Sequence, residues 1–161
     1  MHGELGMTKP SLTTVQIEDF ERMADVRIEV LRESLERLGR FDAERARARL
    51  AASFMPEDMR HIDLDGERVG YITLRPKSKD ELPTRLLEHL YIRNAFQNRG
   101  LGAWALDWAK SQAIAEDCDI KLSALRLSDA NRFYVRHGFR RVSEDEFDIN
   151  YRWAHNGKAE L

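Results

Sequence analysis

Cysteine, long apolar runs and an excess of one charge are all missing from this sequence. Its only cysteine, Cys118, allows no intrachain disulfide and no cysteine-based zinc site, so we expect a packed or idle thiol. No apolar run approaches the roughly 20 residues needed to cross a bilayer, and the N-terminus has no basic-then-apolar secretory pattern. The sequence therefore predicts a cytoplasmic protein with no membrane partner.

The charge of the chain also limits its partners. The formal net charge is −2 at pH 7, and arginine and glutamate are interspersed along the sequence. A nucleic-acid binder needs a basic stripe, and the sequence has none. We therefore expect no nucleic acid as a partner.

Length and composition predict a single domain. A chain of 161 residues with 42% apolar residues can bury a substantial core, whereas two domains would be cramped. Residues 1–10 are mixed and polar, and we expect a flexible leader there. The domain is then predicted to span residues 11–161, without repeats, linkers or low-complexity segments.

The order of predicted elements is that of an α/β domain with a mixed, mostly antiparallel sheet. Apolar residues at three- and four-residue steps predict helices, and alternating runs predict strands. Asp65 and Gly66 lie between two such runs and predict a hairpin. In chain order we predict a strand at 11–15, helices at 18–38 and 42–55, hairpin strands at 61–64 and 68–74, a central strand at 84–92, a helix from 101, a strand at 120–125, a helix at 128–137 and strands at 139–142 and 147–153.

The chain is organised around residues 84–104. A strand-like apolar run leads into a short polar turn, and the turn enters a helix through Gly100 and Gly102. The first N–H groups of a helix lack partners and its dipole is positive there, so a pyrophosphate can bind if no Cβ blocks the backbone. Glycines provide that access, although they can also simply make a turn. A second signal is needed to decide.

The second signal is residues 130–139, which read Ala-Asn-Arg-Phe-Tyr-Val-Arg-His-Gly-Phe. Together the two stretches resemble the GNAT superfamily of acyl-coenzyme A dependent N-acyltransferases. In that family a Gln/Arg-x-x-Gly-x-Gly/Ala turn holds the pyrophosphate, and an Ala-x-x-x-Tyr-x-x-x-Gly-Phe segment carries a tyrosine beside the thioester sulfur. The resemblance is clear over residues 84–142. It implies a single GNAT-like domain, with a central sheet flanked by helices and splayed central strands.

A rival interpretation comes from the same glycines, because Gly100-x-Gly102-x-x-Ala105 fits a dinucleotide-binding fingerprint. That fingerprint needs an acidic residue about 20 positions later to hold a ribose. The next predicted strand ends at Leu125 and Arg126 without an acid. Too little chain follows Gly102 for the rest of a doubly wound sheet, so we favour the acyltransferase.

The resemblance implies acetyl-coenzyme A as cosubstrate and no metal. Backbone N–H groups of the central strand would pair with the pantetheine arm and stabilise the oxyanion, and the main chain of residues 97–103 would wrap the pyrophosphate. The family commonly has an asparagine six or seven positions before its tyrosine, where Leu127 and Ser128 stand here. The implied cofactor-binding residues are Leu90, Tyr91, Ile92, Gln97, Asn98, Arg99, Gly100, Leu101, Gly102, Ala103, Ser128 and Asn131.

Acylation of an amine needs a base for the amine proton and an acid for the departing thiolate. Tyr134 is the predicted acid, because a phenol with a pKa near ~10 can protonate a thiolate whose conjugate acid lies near ~8.5. Glu88, His89 or a water chain would take the amine proton. Strand alternation lets only one of these two side chains face the cleft, although a bulge would make the parity uncertain.

These residues predict an N-acetyltransferase that transfers the acetyl group directly to a primary amine of a small molecule or peptide. The alternative is a non-catalytic acyl-coenzyme A binding or sensing domain of the same fold. The sequence leaves open the identity of the amine, the acyl-chain preference, and whether the protein forms a homodimer.

Overall fold

The computed structural model describes residues 9–157 as a seven-stranded sheet flanked by four α-helices. The strands are β1 Pro10–Thr14, β2 Met59–Leu64, β3 Glu67–Leu74, β4 Thr84–Ile92, β5 Asp119–Leu125, β6 Arg140–Glu144 and β7 Asp148–Trp153. The helices are α1 Phe20–Arg37, α2 Ala43–Ala52, α3 Leu101–Ala115 and α4 Ala130–Arg136. Residues 1–8 of the predicted leader lie outside the described residues, and β1 begins at Pro10.

The strand order is β1-β2-β3-β4-β5-β7-β6. Every neighbouring pair is antiparallel except β4 and β5, which are parallel. This confirms the predicted mixed, mostly antiparallel α/β sheet. It also excludes the dinucleotide-binding rival, because a doubly wound fold is built on a mostly parallel sheet.

Local signals place the element boundaries close to their predicted positions. Asp42 caps α2 by accepting a hydrogen bond from the backbone N–H of Arg45 at 3.0 Å. Asp65 and Gly66 both have positive φ, 53° and 85°, which a two-residue turn between antiparallel strands requires. Helix α1 is mostly polar outside its buried face, and no helix within residues 9–157 is long and apolar enough to cross a membrane.

The sheet has a separate apolar core on each face. One core joins β-strand residues such as Ile72, Leu87 and Ile92 to α3, and it includes the buried thiol of Cys118. The other is smaller and packs α1 and α2 against the opposite face, around Tyr71. The two cores place different helices on the two sides of β4.

The central strands diverge, as predicted. β4 and β5 pair only at Thr84–Asp119, Arg85–Ile120 and Leu86–Lys121. Beyond these pairs the rest of β4 has a neighbour on one side only, namely β3. The divergence opens a cleft between the strands.

A histidine links the end of β7 to the turn between α3 and β5. His155 Nδ1 lies 2.5 Å from Asp119 Oδ1, and Nε2 lies 2.7 Å from Asp117 Oδ1. The hydrogen bond with Asp119 is the largest cause of a raised pKa of His155. The stabilisation that results is therefore fully present below the unfolded pKa of about 6.5, and it is lost as pH rises through the folded pKa.

We expect His155→Gln to lower the free energy of unfolding by about 1 kcal/mol near pH 5.5 and by less near pH 9. Urea unfolding at the two pH values measures the difference. His137→Gln is a matched control with the opposite sign, because burial lowers the pKa of His137. An equal loss at both pH values for His155→Gln would contradict the prediction.

Candidate active site

The diverging strands open a cleft of about 930 Å³. Helices α1 and α2 form one wall of it, and the first turn of α3 together with α4 forms the other. The C-terminal half of β4 lies along its floor, and the start of β7 reaches its rim. The predicted cofactor and catalytic segments thus face one shared space.

The turn before α3 presents unpaired backbone N–H groups to this cleft. Within the described residues, the N–H groups of residues 98–103 have no acceptor, and Trp104 is the first to bond, to the Gly100 carbonyl at 3.0 Å. Gly100 has a φ of 82°, which places it in the left-handed region at the N-cap. These donors, at the positive end of a 15-residue helix, fit the pyrophosphate of a coenzyme A molecule.

Gly102 leaves room beside the ring of Phe133 on α4. A Cβ at Gly102 would lie 3.4 Å from Cζ of Phe133, which lines the cleft. A Cβ at Gly100 would instead meet no protein atom within 4 Å, so that glycine is required for its positive φ and for access by a ligand. The two glycines therefore serve different purposes.

The side chains of Gln97 and Arg99 make contacts within the protein near the turn. Gln97 Nε2 donates to the Ile92 carbonyl at 2.8 Å, so this amide shapes the turn. The Arg99 guanidinium lies over the ring of Phe96, with its Cζ 5.3 Å from the centroid, and Arg99 does not line the cleft. Phosphate binding by Arg99 would require its side chain to move, because the structure commits it elsewhere.

The open edge of β4 offers two further donors. The Arg93 N–H donates to the Val69 carbonyl on β3 at 2.8 Å. Because successive N–H groups of a strand point to opposite sides, those of Ile92 and Leu90 point away from β3 and into the gap. The N–H of Tyr91 points towards β3, so only two of the three predicted strand donors are available.

Tyr134 is buried at the cleft wall, with only 7% of its surface exposed. Its ring packs edge-on against Phe133 and Phe139, with centroids 5.2 Å and 5.5 Å away. Within residues 9–157 the hydroxyl makes no hydrogen bond. Burial, with a smaller contribution from Tyr91, raises the pKa of Tyr134 well above 10 and keeps its hydroxyl protonated at neutral pH.

Glu88 and His89 both line the cleft, so strand alternation does not select between them here. Thr73 pairs with His89 and Leu74 with Leu87, which leaves Glu88 as the extra residue of a β-bulge. A bulge interrupts the alternation of side chains between the two faces. Sequence alone could not place this irregularity.

His89 is a weak base in this environment. Its Nδ1 lies 2.9 Å from Thr73 Oγ1, and the residue is 4% exposed. Burial, aided by the charges of Arg27 and Arg75, lowers the pKa of His89 to about 3. The ring is therefore neutral at physiological pH, and it does not take up a second proton there.

Glu88 is fixed by an ion pair. Arg75 Nε donates to Glu88 Oε1 at 2.6 Å, and Arg75 Nη1 donates to Asp58 Oδ2 at 3.1 Å. The second oxygen of Glu88 lies 3.9 Å from His89 Nε2.

No group of three His, Cys, Asp or Glu side chains that could hold a metal ion occurs within residues 9–157.

The side-chain amide of Asn131, one of the predicted cofactor-binding residues, is already hydrogen-bonded within the fold. Its Nδ2 donates to the carbonyls of Leu125 and Ser128 at 2.8 Å and 3.0 Å, and its Oδ1 accepts from the Tyr151 hydroxyl at 2.8 Å. The side chain ties α4 to β5 and β7 and does not line the cleft. Ser128 does line it.

Two cleft residues carried no role in the sequence analysis. Arg27 on α1 donates from Nη1 to the Tyr91 hydroxyl at 2.9 Å. Asp148, at the start of β7, has no cation within 4 Å among the described residues, and burial raises its pKa. Their signal in the sequence is weak, because both look like ordinary charges on an amphipathic helix and at a strand end.

The parallel strands β4 and β5 splay beside the N-terminus of α3, and Tyr134 lines the gap, as the resemblance to the acyltransferases implies. In agreement, residues 58–141 match the family described as acetyltransferase (GNAT) domain. The match covers just over half of the chain, and the chain belongs to this family. No curated protein matches the sequence.

Solved structures with the same fold include three enzymes or domains of diverse origin. The PaiA N-acetyltransferase of Thermoplasma acidophilum, solved with coenzyme A, is 17% identical, with a TM-score of 0.72 over 91% of this chain and 99% of that one. Arabidopsis thaliana Naa50, with a bisubstrate analogue, is 17% identical, with a TM-score of 0.66 over 90% and 98%. The loading GNATL domain of CurA from Lyngbya majuscula is 14% identical, with a TM-score of 0.68 over 93% and 100%.

Proposed function

We propose that this protein transfers the acetyl group of acetyl-coenzyme A to a primary amine by direct attack. The observation that carries the proposal is the convergence of three features on one cleft. These are the free N–H groups of residues 98–103, the free N–H groups of Leu90 and Ile92, and the unpartnered hydroxyl of Tyr134. The solved relatives named above that hold coenzyme A or its analogue support the choice of cosubstrate.

The cofactor is proposed to lie along the open edge of β4. Its pyrophosphate would accept bonds from the main chain of residues 98–103, where helix dipole and unpaired donors both favour a negative charge. Its pantetheine amides would then continue the sheet where β5 has diverged, pairing with the free edge near Leu90 and Ile92. Ser128, on the opposite side of the gap, is available for a further bond.

The reaction forms a carbon–nitrogen bond and breaks the carbon–sulfur bond of the thioester. A strand N–H of Leu90 or Ile92 would stabilise the oxyanion, because a fixed donor needs no reorganisation. The Tyr134 hydroxyl would give its proton to the departing thiolate, and the phenolate left behind would regain, through water, the proton that the amine releases. Because burial raises the pKa of Tyr134, this transfer is expected to accompany cleavage of the bond and not to precede it.

The amine proton is proposed to leave through water to a carboxylate of the cleft. The lowered pKa of His89 makes its ring a poor acceptor for this proton. Glu88 lines the cleft but is held by Arg75. Asp148 lines the cleft with a raised pKa and no ion-pair partner among the described residues, and a carboxylate with a raised pKa is suited to accept a proton.

Release of free coenzyme A thiol tests the function. We expect saturable, acceptor-dependent release in a panel of polyamines, amino acids, aminoglycosides and peptide N-termini, followed with a chromogenic disulfide. A reaction without an acceptor measures background hydrolysis. Saturable acetyl-coenzyme A binding without turnover on any acceptor would favour the sensing domain and count against an enzyme.

A further inference from the structure

We infer that the acceptor is an amine that also carries a carboxylate, as an amino acid does, and that Arg27 binds this carboxylate. The inference rests on the proposed function, which does not by itself specify any acceptor. It starts from a charge that the fold places in the cleft without a counter-ion.

Arg27 is held rigidly at the cleft wall. Its Nε donates to the Ala46 carbonyl on α2 at 3.1 Å, and its Nη1 donates to the Tyr91 hydroxyl on β4 at 2.9 Å. These two bonds orient the guanidinium before any ligand arrives. Its third nitrogen, Nη2, makes no hydrogen bond of normal geometry among the described residues, and the guanidinium also lies near the buried Tyr71 hydroxyl.

No carboxylate forms a direct ion pair with Arg27, and the nearest acidic influences on its partner Tyr91 come from Glu88 and Asp148. Within residues 9–157, no Asp or Glu oxygen lies within 4 Å of its guanidinium, although the side chain is only partly exposed. Partial burial of a charge without an opposite charge costs free energy, and a purely structural link between α1, α2 and β4 would not require a cation. The unpaired charge is explained if the bound ligand supplies the anion.

The surrounding wall is positive as well. Arg37 forms an ion pair with Glu33 at 3.1 Å, and Arg45 forms one with Asp42 at 3.8 Å. Two further arginines line the cleft without a carboxylate within 4 Å among the described residues: Arg40, which stacks on the ring of Phe147, and Arg49, whose charge partly offsets the rise that burial causes in the pKa of Asp148. The α1–α2 wall therefore favours an anionic ligand beyond Arg27 itself.

The phosphates of coenzyme A do not account for this charge. Tyr91, which holds Arg27, packs against the α1–α2 core, whereas Leu101 at the start of α3 packs in the core on the other face of the sheet. The N–H groups of residues 98–103 lie at the start of α3, on the wall of the cleft opposite α1 and α2. A carboxylate on the acceptor fits better, because it is the planar anion that a guanidinium binds in a fixed geometry.

Matched acceptors test the inference directly. For amino acids, their carboxamides and their decarboxylated amines, kcat/KM is measured at saturating acetyl-coenzyme A. We expect the amino acid to be favoured over the other two by about 10- to 100-fold, the range for loss of a bond to a charged group. Arg27→Gln should remove this preference through a higher KM for the amino acid, and should leave the KM for acetyl-coenzyme A unchanged.

Two further variants separate specificity from folding. Arg27→Lys keeps the positive charge but loses the planar guanidinium with its paired N–H donors. It should retain part of the preference for the amino acid. Arg32→Gln, on the same helix but outside the cleft and paired with Glu36, should behave as the unmodified protein. Thermal unfolding of each variant identifies any loss of folded protein.

Equal use of amino acids and decarboxylated amines would overturn the inference while leaving the acetyltransferase proposal intact. A preference that survives in folded Arg27→Gln would also overturn it. If no amine is acetylated, the proposed function fails, and calorimetry of the protein–coenzyme A complex with amino acids and their amides still tests the site. Tighter binding of the acids that depends on Arg27 supports the inference, and equal binding refutes it.

Discussion

Tyr134→Phe is expected to slow acetyl transfer by about ten- to ten-thousand-fold while acetyl-coenzyme A affinity stays nearly unchanged. Phenylalanine keeps the ring and its edge-on contacts with Phe133 and Phe139, so the substitution removes only the hydroxyl. That hydroxyl makes no hydrogen bond within residues 9–157, and its loss should cost the fold little. The proton is needed as the carbon–sulfur bond breaks, so the loss should appear in turnover.

Tyr151→Phe provides a matched control. Tyr151 is also buried, but its hydroxyl donates to Asn131 Oδ1 at 2.8 Å and the residue does not line the cleft. Its substitution should lower stability by about 1 kcal/mol and leave kcat unchanged for the folded protein. Steady-state kinetics and a binding titration on both variants distinguish a catalytic hydroxyl from a structural one.

Three outcomes are informative for Tyr134→Phe. Full activity with full affinity would remove the acid role and leave a core tyrosine. Preserved turnover with weaker acetyl-coenzyme A binding would mean that the hydroxyl anchors the sulfur or the pantetheine in the ground state. A fall in turnover alone would support the proposed general acid.

Gly102→Val is expected to lower the affinity for coenzyme A by about 100-fold or more, so that binding is effectively abolished. The Cβ alone would lie 3.4 Å from Cζ of Phe133, so the branched methyl groups would enter the space between α3 and α4 at the cleft. Gly100→Val should have a similar effect for a second reason, because its φ of 82° strains a branched residue and would turn the free N–H groups. Calorimetric titration of the folded variants with coenzyme A measures both.

Gly157→Val is the control for backbone strain. Gly157 also has a positive φ, 73°, and open space around its missing Cβ, but it does not line the cleft. It should lose stability without losing affinity. Unchanged affinity in folded Gly100→Val and Gly102→Val would remove the cradle assignment.

Local chemistry explains why so much of the fold could be predicted. Asp42 caps α2, the Asp65 and Gly66 turn joins β2 to β3, and Gly100 starts α3, because each depends on residues close in sequence. The same is true of the turn at residues 97–103 that we propose binds the phosphates, because a turn and a helix start occupy one continuous segment there. These features need no long-range partner to be recognised.

The sequence could not predict which side chains would already be hydrogen-bonded within the folded protein. Asn131 was predicted to bind cofactor, yet its amide is used by Leu125, Ser128 and Tyr151, which come from other elements. Gln97 and Arg99 are held within the turn in a similar way. A hydrogen-bond donor is available to a ligand only if no group of the folded chain already accepts from it. The sequence does not show which groups those are.

By itself, the sequence determined the α/β class, the order of the elements, the family and the helix-start turn, since periodicity, caps and short motifs are local properties. Only the tertiary structure decided that β4 and β5 separate after three residue pairs, that a bulge at Glu88 brings it to the cleft beside His89, and that burial lowers the pKa of His89 to about 3. It alone also placed Arg27 without a counter-ion beside Tyr91. Strand register, desolvation and charge pairing depend on residues far apart in the chain, so they exist only once the chain has folded.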